Sequence, residues 1–126
     1  MNARVEAAFA AYRASQNLDT RPCAVLAAVH DALRFSLSSA ISAYERGALD
    51  EMCRHAERVT HLLGGLCSTF RASGAGTSEL VTFYQRTQFA LNRILCDERE
   101  IVVAHDCLNR LNSMSLMFRH EALTSR

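Results

Sequence analysis

Residues 22–46 read PCAVLAAVHDALRFSLSSAISAYER, the longest uninterrupted helical pattern in the chain. Thr20 can cap the first turn, Pro22 is tolerated there because its missing N–H would have no partner, and Gly47 supplies a left-handed stop. At ~1.5 Å per residue the predicted helix spans on the order of 35 Å, about the depth of a small domain. Apolar residues cover so much of its girth that we expect neighbours on more than one side. These apolar residues are Val25, Leu26, Val29, Ala32, Leu33, Phe35, Leu37, Ala40, Ile41 and Tyr44.

Length and composition favour a single helical domain. The 126 residues are enough for one modest core and too few for two, 49% of them are apolar, and Pro22 is the only proline. The chain has no lysine, and its 14 arginines against 13 acidic residues leave a net charge of +1. A near-neutral chain has no field that steers it to nucleic acid or to a membrane surface, so we expect neither as a partner.

The N-terminal region and the cysteines predict a cytoplasmic protein. Residues 1–13 contain Glu6 and lack the apolar core of a signal peptide, and no stretch of the chain is expected to span a membrane. The five cysteines show no Cys-x-x-Cys pairing. In a reducing compartment they are expected to act as small apolar residues rather than as disulfide partners.

Three more helical patterns follow the first. Residues 48–70 carry a clean heptad seam, and residues 71–78 break the periodicity with glycine and small polar residues. A third helix is expected to start after a cap at Thr77 or Ser78, and Asp97 with Glu100 predicts a capping box for a fourth. The predicted seams are Leu49, Met52, Ala56, Val59, Leu63, Leu66 and Phe70 in the second helix, Leu80, Tyr84, Thr87, Leu91 and Ile94 in the third, and Ile101, Ala104, Leu108, Leu111, Ser115 and Phe118 in the fourth.

The short connections between these helices make sequence neighbours run antiparallel. The predicted fold is therefore all-α, an antiparallel up-down-up-down four-helix bundle over residues 20–122. Residues 1–19 hold a short amphipathic helical segment with Phe9 and Tyr12, which we expect either to dock on the bundle or to be mobile. Residues 123–126 are expected to fray.

No residue pattern predicts catalysis, a metal site or a cofactor. Glu57 and His61 lie on the polar face of the second helix, without the second pair that a metal site in a bundle needs. Gly74-Ala-Gly76 lacks the lysine of a phosphate-binding loop, and no nucleophile stands beside an evident base. We therefore expect a protein without enzymatic activity and without a cofactor.

Two histidines and a set of apolar residues carry alternatives. The run His61-Leu-Leu-Gly-Gly65 is similar to the His-x-Leu-Lys-Gly core of histidine phosphotransfer domains, but Gly64 stands where that family keeps its lysine. The other interpretation of His61 is a solvated surface residue. His30, beside Asp31, predicts either a buried hydrogen-bonded residue or a groove residue. Plain core and an adaptable apolar groove are the two interpretations of Phe83, Phe89, Met114 and Met117.

Several short motifs occur in a recognisable order. They are Ala11-Tyr12, Thr20-Arg-Pro22, Ala28-Val-His-Asp-Ala-Leu-Arg-Phe35, Ala40-Ile-Ser-Ala-Tyr-Glu-Arg-Gly47 and Phe83-Tyr84. Their order and spacing resemble the flagellar secretion chaperones of the FliS family, over about residues 11–118. The run Leu33-Arg34-Phe35 is the sharpest match, and Val29-His30-Asp31 stands where the family keeps Tyr-Asp-Gly.

The resemblance implies a protein whose activity is binding. Chaperones of the FliS family keep flagellin soluble and monomeric before export, and the disordered C-terminal segment of flagellin wraps around the bundle and folds into short helices in apolar grooves. The chaperone's own N-terminal segment can occupy part of that surface. The expected partners are therefore the flagellin C-terminal segment and the flagellar export apparatus.

Two points stay open at the level of sequence. The chain could serve as a helical adaptor for another secreted protein, and the sequence does not decide whether two copies pair through their apolar flank. The residues that we expect to contact a client are Phe9, Tyr12, Val29, His30, Phe35, Ile41, Phe83, Tyr84, Met114 and Met117.

Overall fold

The computed structural model describes residues 21–73 and 77–124, which form four α-helices. These are α1 (Arg21–Glu45), α2 (Leu49–Ser73), α3 (Ser78–Arg93) and α4 (Glu100–Thr124). Each helix packs on its neighbours in sequence, and α4 closes the ring by packing on α1, so that α1 lies diagonally opposite α3. The described residues therefore confirm the predicted all-α four-helix bundle. The segment with Phe9 and Tyr12, and the cap expected from Thr20, lie outside the described residues.

The turn after α1 forms as the sequence predicts. Gly47 has a φ of +74°, a left-handed conformation that glycine adopts without strain. The Gly47 N–H donates to the Tyr44 carbonyl oxygen at 3.0 Å, and the Ala48 N–H donates to the Ala43 carbonyl oxygen at 2.9 Å. These two bonds are the Schellman pattern, which satisfies the last carbonyl groups of α1 and reverses the chain into α2.

One hydrophobic core runs through the described bundle, and α1 lies at its centre. Leu33, Leu37 and Ala40 are fully buried between α2 and α4. The predicted seams are correct with one clear exception: Leu49 is exposed, because it is the first residue of α2 and lies at the end of the bundle. The buried part of the second seam begins at Met52.

The starts of α3 and α4 differ from their predictions. Thr77 precedes α3 but makes no side-chain capping bond, because its hydroxyl donates to the Phe70 carbonyl oxygen at 2.7 Å. The capping box of Asp97 and Glu100 is also wrong, since both backbone donors that it needs are used elsewhere: Asp97 N–H donates to the Arg93 oxygen, and Glu100 N–H donates to the Asp97 carbonyl oxygen. The Asp97 carboxylate accepts from the Arg99 backbone N–H, two residues on, which is an N-cap bond, and also from the Arg99 guanidinium, so Asp97 caps this turn without the reciprocal bond from Glu100.

The apolar composition of α1 also resembles that of a membrane-spanning helix. By length and composition, Cys23–Glu45 could cross a membrane, contrary to the expectation that no stretch of the chain could. Core helices of soluble proteins pass the same test, and 44% of this stretch is buried inside the bundle.

Candidate partner-binding surface

The structure separates the residues predicted to contact a client into core and surface. Phe35 is exposed, with 69% of its surface accessible, while Val29 and Met117 are half-buried. Phe9 and Tyr12 are outside the described residues. The remaining five are buried and present no surface to a partner in this conformation, because they hold the helices to one another: these are His30, Ile41, Phe83, Tyr84 and Met114.

His30 is a fully buried polar residue in the middle of this core. Its Nδ1 lies 2.7 Å from the Leu26 carbonyl oxygen, and its Nε2 lies 2.7 Å from the Tyr84 hydroxyl. A carbonyl oxygen can only accept, so Nδ1 carries the proton and the Tyr84 O–H donates to Nε2. The bond ties α1 to the diagonally opposite helix α3, and the Phe118 ring from α4 packs on the imidazole with 4.6 Å between centroids. His30 is therefore the satisfied structural residue of the two alternatives.

Burial sets the charge states of His30 and Tyr84. Desolvation lowers the pKa of His30 to about 4, against smaller opposing effects of the Leu26 hydrogen bond and the Asp31 charge. Desolvation likewise raises the pKa of Tyr84 well above its ordinary value. Both groups are neutral near pH 7, which is the state that their shared hydrogen bond requires.

Asp31, the residue after His30, lies in a charged cluster on the surface where α1 meets α4. The Asp31 carboxylate accepts hydrogen bonds from the Ser115 hydroxyl and the Arg119 guanidinium of α4, and from Arg34 Nε at 3.1 Å. The Ser115 bond is the largest cause of a lowered pKa at Asp31, and both arginines act in the same direction. Two guanidinium groups around one carboxylate leave this site with an excess of one positive charge.

Large apolar side chains surround this cluster on the outside of the bundle. Leu116 is 64% exposed and lines a shallow groove of about 120 Å³ together with Arg34 and Arg119. Phe35 lies four residues after Asp31 in α1, so the two are neighbours on the surface of that helix, and Leu123 lies two turns after Leu116 on the same stripe of α4. We call this surface the α1/α4 face: Phe35, Leu116 and Leu123 around Asp31, Arg34 and Arg119. It joins exposed apolar area to a basic excess, a combination that suits an amphipathic acidic segment.

Sequence reasoning singled out Phe35 on this face and missed the residues of α4. Leu116 and Leu123 lie seven residues apart and off the seam that the sequence assigned to this helix. That second heptad-spaced apolar pair was the available signal. No sequence signal pointed to Arg119, because its contact with Asp31 joins residues 88 positions apart.

The other exposed phenylalanine among the described residues has a different environment. Phe89 is 57% exposed on α3, which is not adjacent to α1, and the Arg93 guanidinium lies 5.4 Å from its ring centroid. This cation–π contact covers part of the ring within its own helix. The groove expected from Phe83, Phe89, Met114 and Met117 does not form as one surface, because Phe83 and Met114 are core residues.

His61 and the potential metal ligands are the remaining polar residues that the sequence brought into question. His61 is exposed on α2, as both interpretations of it require. Within residues 21–73 and 77–124, no three His, Cys, Asp or Glu side chains are grouped as a metal site would need.

Comparison of the chain with protein-family models, with curated proteins and with solved structures found no match.

Proposed function

We propose that this protein is a cytoplasmic export chaperone that binds the disordered C-terminal segment of flagellin, prevents its premature polymerisation and delivers it to the flagellar export apparatus. The observation that carries the proposal is the α1/α4 face. Phe35 and Leu116 are 69% and 64% exposed in a bundle whose core is closed without them. Exposed apolar side chains grouped on one face are typical of a protein-binding surface.

The geometry of the run Leu33-Arg34-Phe35 supports the proposal. In Leu33-Arg34-Phe35, the leucine is fully buried, the arginine pairs with Asp31, and the phenylalanine points away from the core. A run with these three roles fixes the helix in the bundle and presents an aromatic side chain beside a charge. That arrangement supports recognition of a segment that folds onto the chaperone as it binds.

The energetics also suit a disordered client. Burial of each large apolar side chain contributes roughly 1.5–3 kcal/mol, and ordering of the client opposes this gain. Contact along a whole face is therefore needed, rather than one deep pocket. The arginine excess between the apolar residues adds attraction for acidic client residues and fixes the register of the segment.

The experiment compares two exposed phenylalanines of the same bundle. Binding of a peptide with the flagellin C-terminal sequence is measured by calorimetry for the parent, Phe35→Ser and Phe89→Ser. We expect Phe35→Ser to weaken binding at least about tenfold, since an apolar contact is worth about 1.4 kcal/mol or more. Phe89→Ser, the matched control on α3, should bind like the parent. Melting temperatures should agree for all three, because neither ring belongs to the core.

Leu116→Ser tests the same face from α4 and should act in the same direction as Phe35→Ser. If both variants bind the peptide as tightly as the parent does, the α1/α4 face is not the client surface. If the parent itself does not bind flagellin, the proposed function is wrong.

A further inference from the structure

A second surface lies on the opposite side of the bundle from the α1/α4 face, in the groove between α2 and α3. The groove has a volume of about 390 Å³, and it is not part of the proposed client surface. Arg71 is the single ionisable side chain with a charge near pH 7 among the residues that line it. The lining comprises Thr60, Leu63, Gly64, Cys67, Ser68 and Arg71 of α2 with Tyr84, Gln85 and Gln88 of α3.

The glycines in the middle of α2 have no structural cause among residues 21–73 and 77–124 of one copy. Gly64 and Gly65 lie in the interior of a 25-residue helix, and their φ angles are in the ordinary range, since Gly47 alone has a positive φ among the described glycines. A Cβ added at either position would meet no atom within 4 Å. Glycine is the residue that a helix interior tolerates least apart from proline, so close approach of another backbone is the remaining reason for it.

The wall of the groove holds a buried acceptor without a donor. The Gln88 side chain donates through Nε2 to the Asn92 Oδ1 at 2.8 Å, but its Oε1 is buried and has no hydrogen-bond partner among the described residues. A buried carbonyl oxygen is destabilising while it lacks a donor. Because no oxygen-sized atom reaches a buried Oε1, an occupant with hydroxyl groups can supply that donor only after the Gln88 side chain turns towards the groove.

The exposed stripe of α2 is complementary to itself. Gly64 lies at its centre, Thr60 and Ser68 lie four residues to either side, and Glu57 and Arg71 lie seven residues to either side. The two charges are therefore about 21 Å apart along the helix. A second helix of the same sequence, laid antiparallel across Gly64, brings its Arg71 to Glu57 and its Glu57 to Arg71.

We infer that a second copy of this chain occupies the α2/α3 groove, in an antiparallel two-fold pair of α2 helices that crosses at Gly64. The two-fold relation makes both copies use the same patch, and it forms the Glu57–Arg71 ion pair twice. Thr60, Gly64 and Ser68 allow the two backbones to approach closely, and the Ser68 hydroxyl of the second copy is a donor for Gln88 once that side chain turns towards the groove. Because the groove lies opposite the α1/α4 face, the dimer leaves both of those faces open. The inference does not rest on the proposed function.

The two adjacent glycines provide a matched test. Gly64→Leu fills the groove, whereas Gly65→Leu adds the same side chain one position along, outside the groove lining. The dissociation constant of the dimer is measured by sedimentation equilibrium of the full chain. We expect Gly64→Leu to raise it at least about tenfold and Gly65→Leu to leave it within about twofold of the parent. Both variants should melt at or above the temperature of the parent, since both replace an exposed helical glycine.

Charge exchange tests the pairing itself. Glu57→Arg places arginine opposite arginine in the dimer, and Arg71→Glu places glutamate opposite glutamate, so each variant alone should dimerise at least about tenfold more weakly. A mixture of the two variants should restore dimers, because each contact again joins opposite charges. The double variant should likewise recover, and added salt should reduce all of these differences.

Three results would overturn the inference. The first is a parent that stays monomeric up to on the order of 1 mM, the weak limit for a specific contact. The second is a parent dimer that Gly64→Leu leaves unchanged. The third is a failure of the mixed charge variants to associate better than either variant alone.

Discussion

The imidazole of His30 carries no charge in the folded chain, and this makes the stability of the bundle depend on pH. Its pKa is about 4 in the folded state against 6.5 for an ordinary histidine, because burial removes it from water. Between these two pH values the unfolded chain binds a proton that the folded chain does not. The free energy of unfolding therefore falls as the pH falls through this window. Below about pH 4 both states are protonated, and this group has no further effect.

We predict that the parent loses about 3 kcal/mol of stability through His30 between pH 6.5 and pH 4. His30→Gln should be less stable at pH 7 by about 1–3 kcal/mol, since it alters a buried contact, but it should lack this part of the pH dependence. Urea unfolding at a series of pH values measures both quantities. His61→Gln is the control on the surface and should follow the parent curve. Equal slopes for the parent and His30→Gln would contradict the assignment.

Asp31 acts in a neighbouring pH window. Its pKa is lowered, chiefly by the Ser115 hydrogen bond, so its contribution to stability is present above its ordinary value of 3.8 and is lost as the pH falls below that value. The sequence placed His30 and Asp31 side by side but gave no partner for either. Those partners, Tyr84 and Ser115, are 54 and 84 residues away, and only the packing of the helices brings them together.

The helices themselves are the part of the structure that periodicity predicts well. The stripe of α3 is buried along its full length, and α1 stops at Gly47 as expected, because a seam and a left-handed glycine are local signals. The details at helix starts were harder to predict. Thr77 and Asp97 both have side chains that can cap, but the Thr77 hydroxyl bonds to Phe70 instead, and Asp97 caps through the Arg99 N–H rather than through Glu100. Which bond forms depends on the turn geometry rather than on residue type.

The register of α2 can be checked with two variants that each place an aspartate at one of two adjacent positions. Leu63 is 2% exposed and Gly64 is exposed. Leu63→Asp places a carboxylate in the core and should lower the free energy of unfolding by at least about 3 kcal/mol. Gly64→Asp adds the same charge one position along and, at protein concentrations well below the dissociation constant of the dimer, should change it by no more than about 0.5 kcal/mol. Chemical denaturation of both variants measures the difference. Equal stability of the two would show that the register is wrong.

On the scale of the whole molecule, the ring of four helices places the two proposed binding surfaces on opposite sides. The α1/α4 face is apolar with a basic excess, and the α2/α3 groove is lined by small residues of α2, whose exposed stripe carries Glu57 and Arg71 at equal distances from Gly64. Heptad spacing alone could not separate such surfaces from the core. Phe35 and Ile41 both belong to the apolar residues that the sequence assigns to α1. Phe35 is exposed and Ile41 is buried, because α4 and α2 cover different sides of the helix.

The cysteines test whether this ring unfolds as one unit. Cys23 in α1 and Cys107 in α4 are 2% and 1% exposed, and burial raises the pKa of the Cys107 thiol, while Cys53 and Cys96 are exposed. In native buffer, iodoacetamide should therefore modify Cys53 and Cys96 at the rate of an unfolded control. Cys23 and Cys107 should react only when the bundle opens. Because their helices share one core, both should be slowed by the same factor, equal to the equilibrium constant for global unfolding. Mass spectrometry of the labelled peptides measures each rate, and factors that differ by more than about tenfold would show that α1 and α4 open independently.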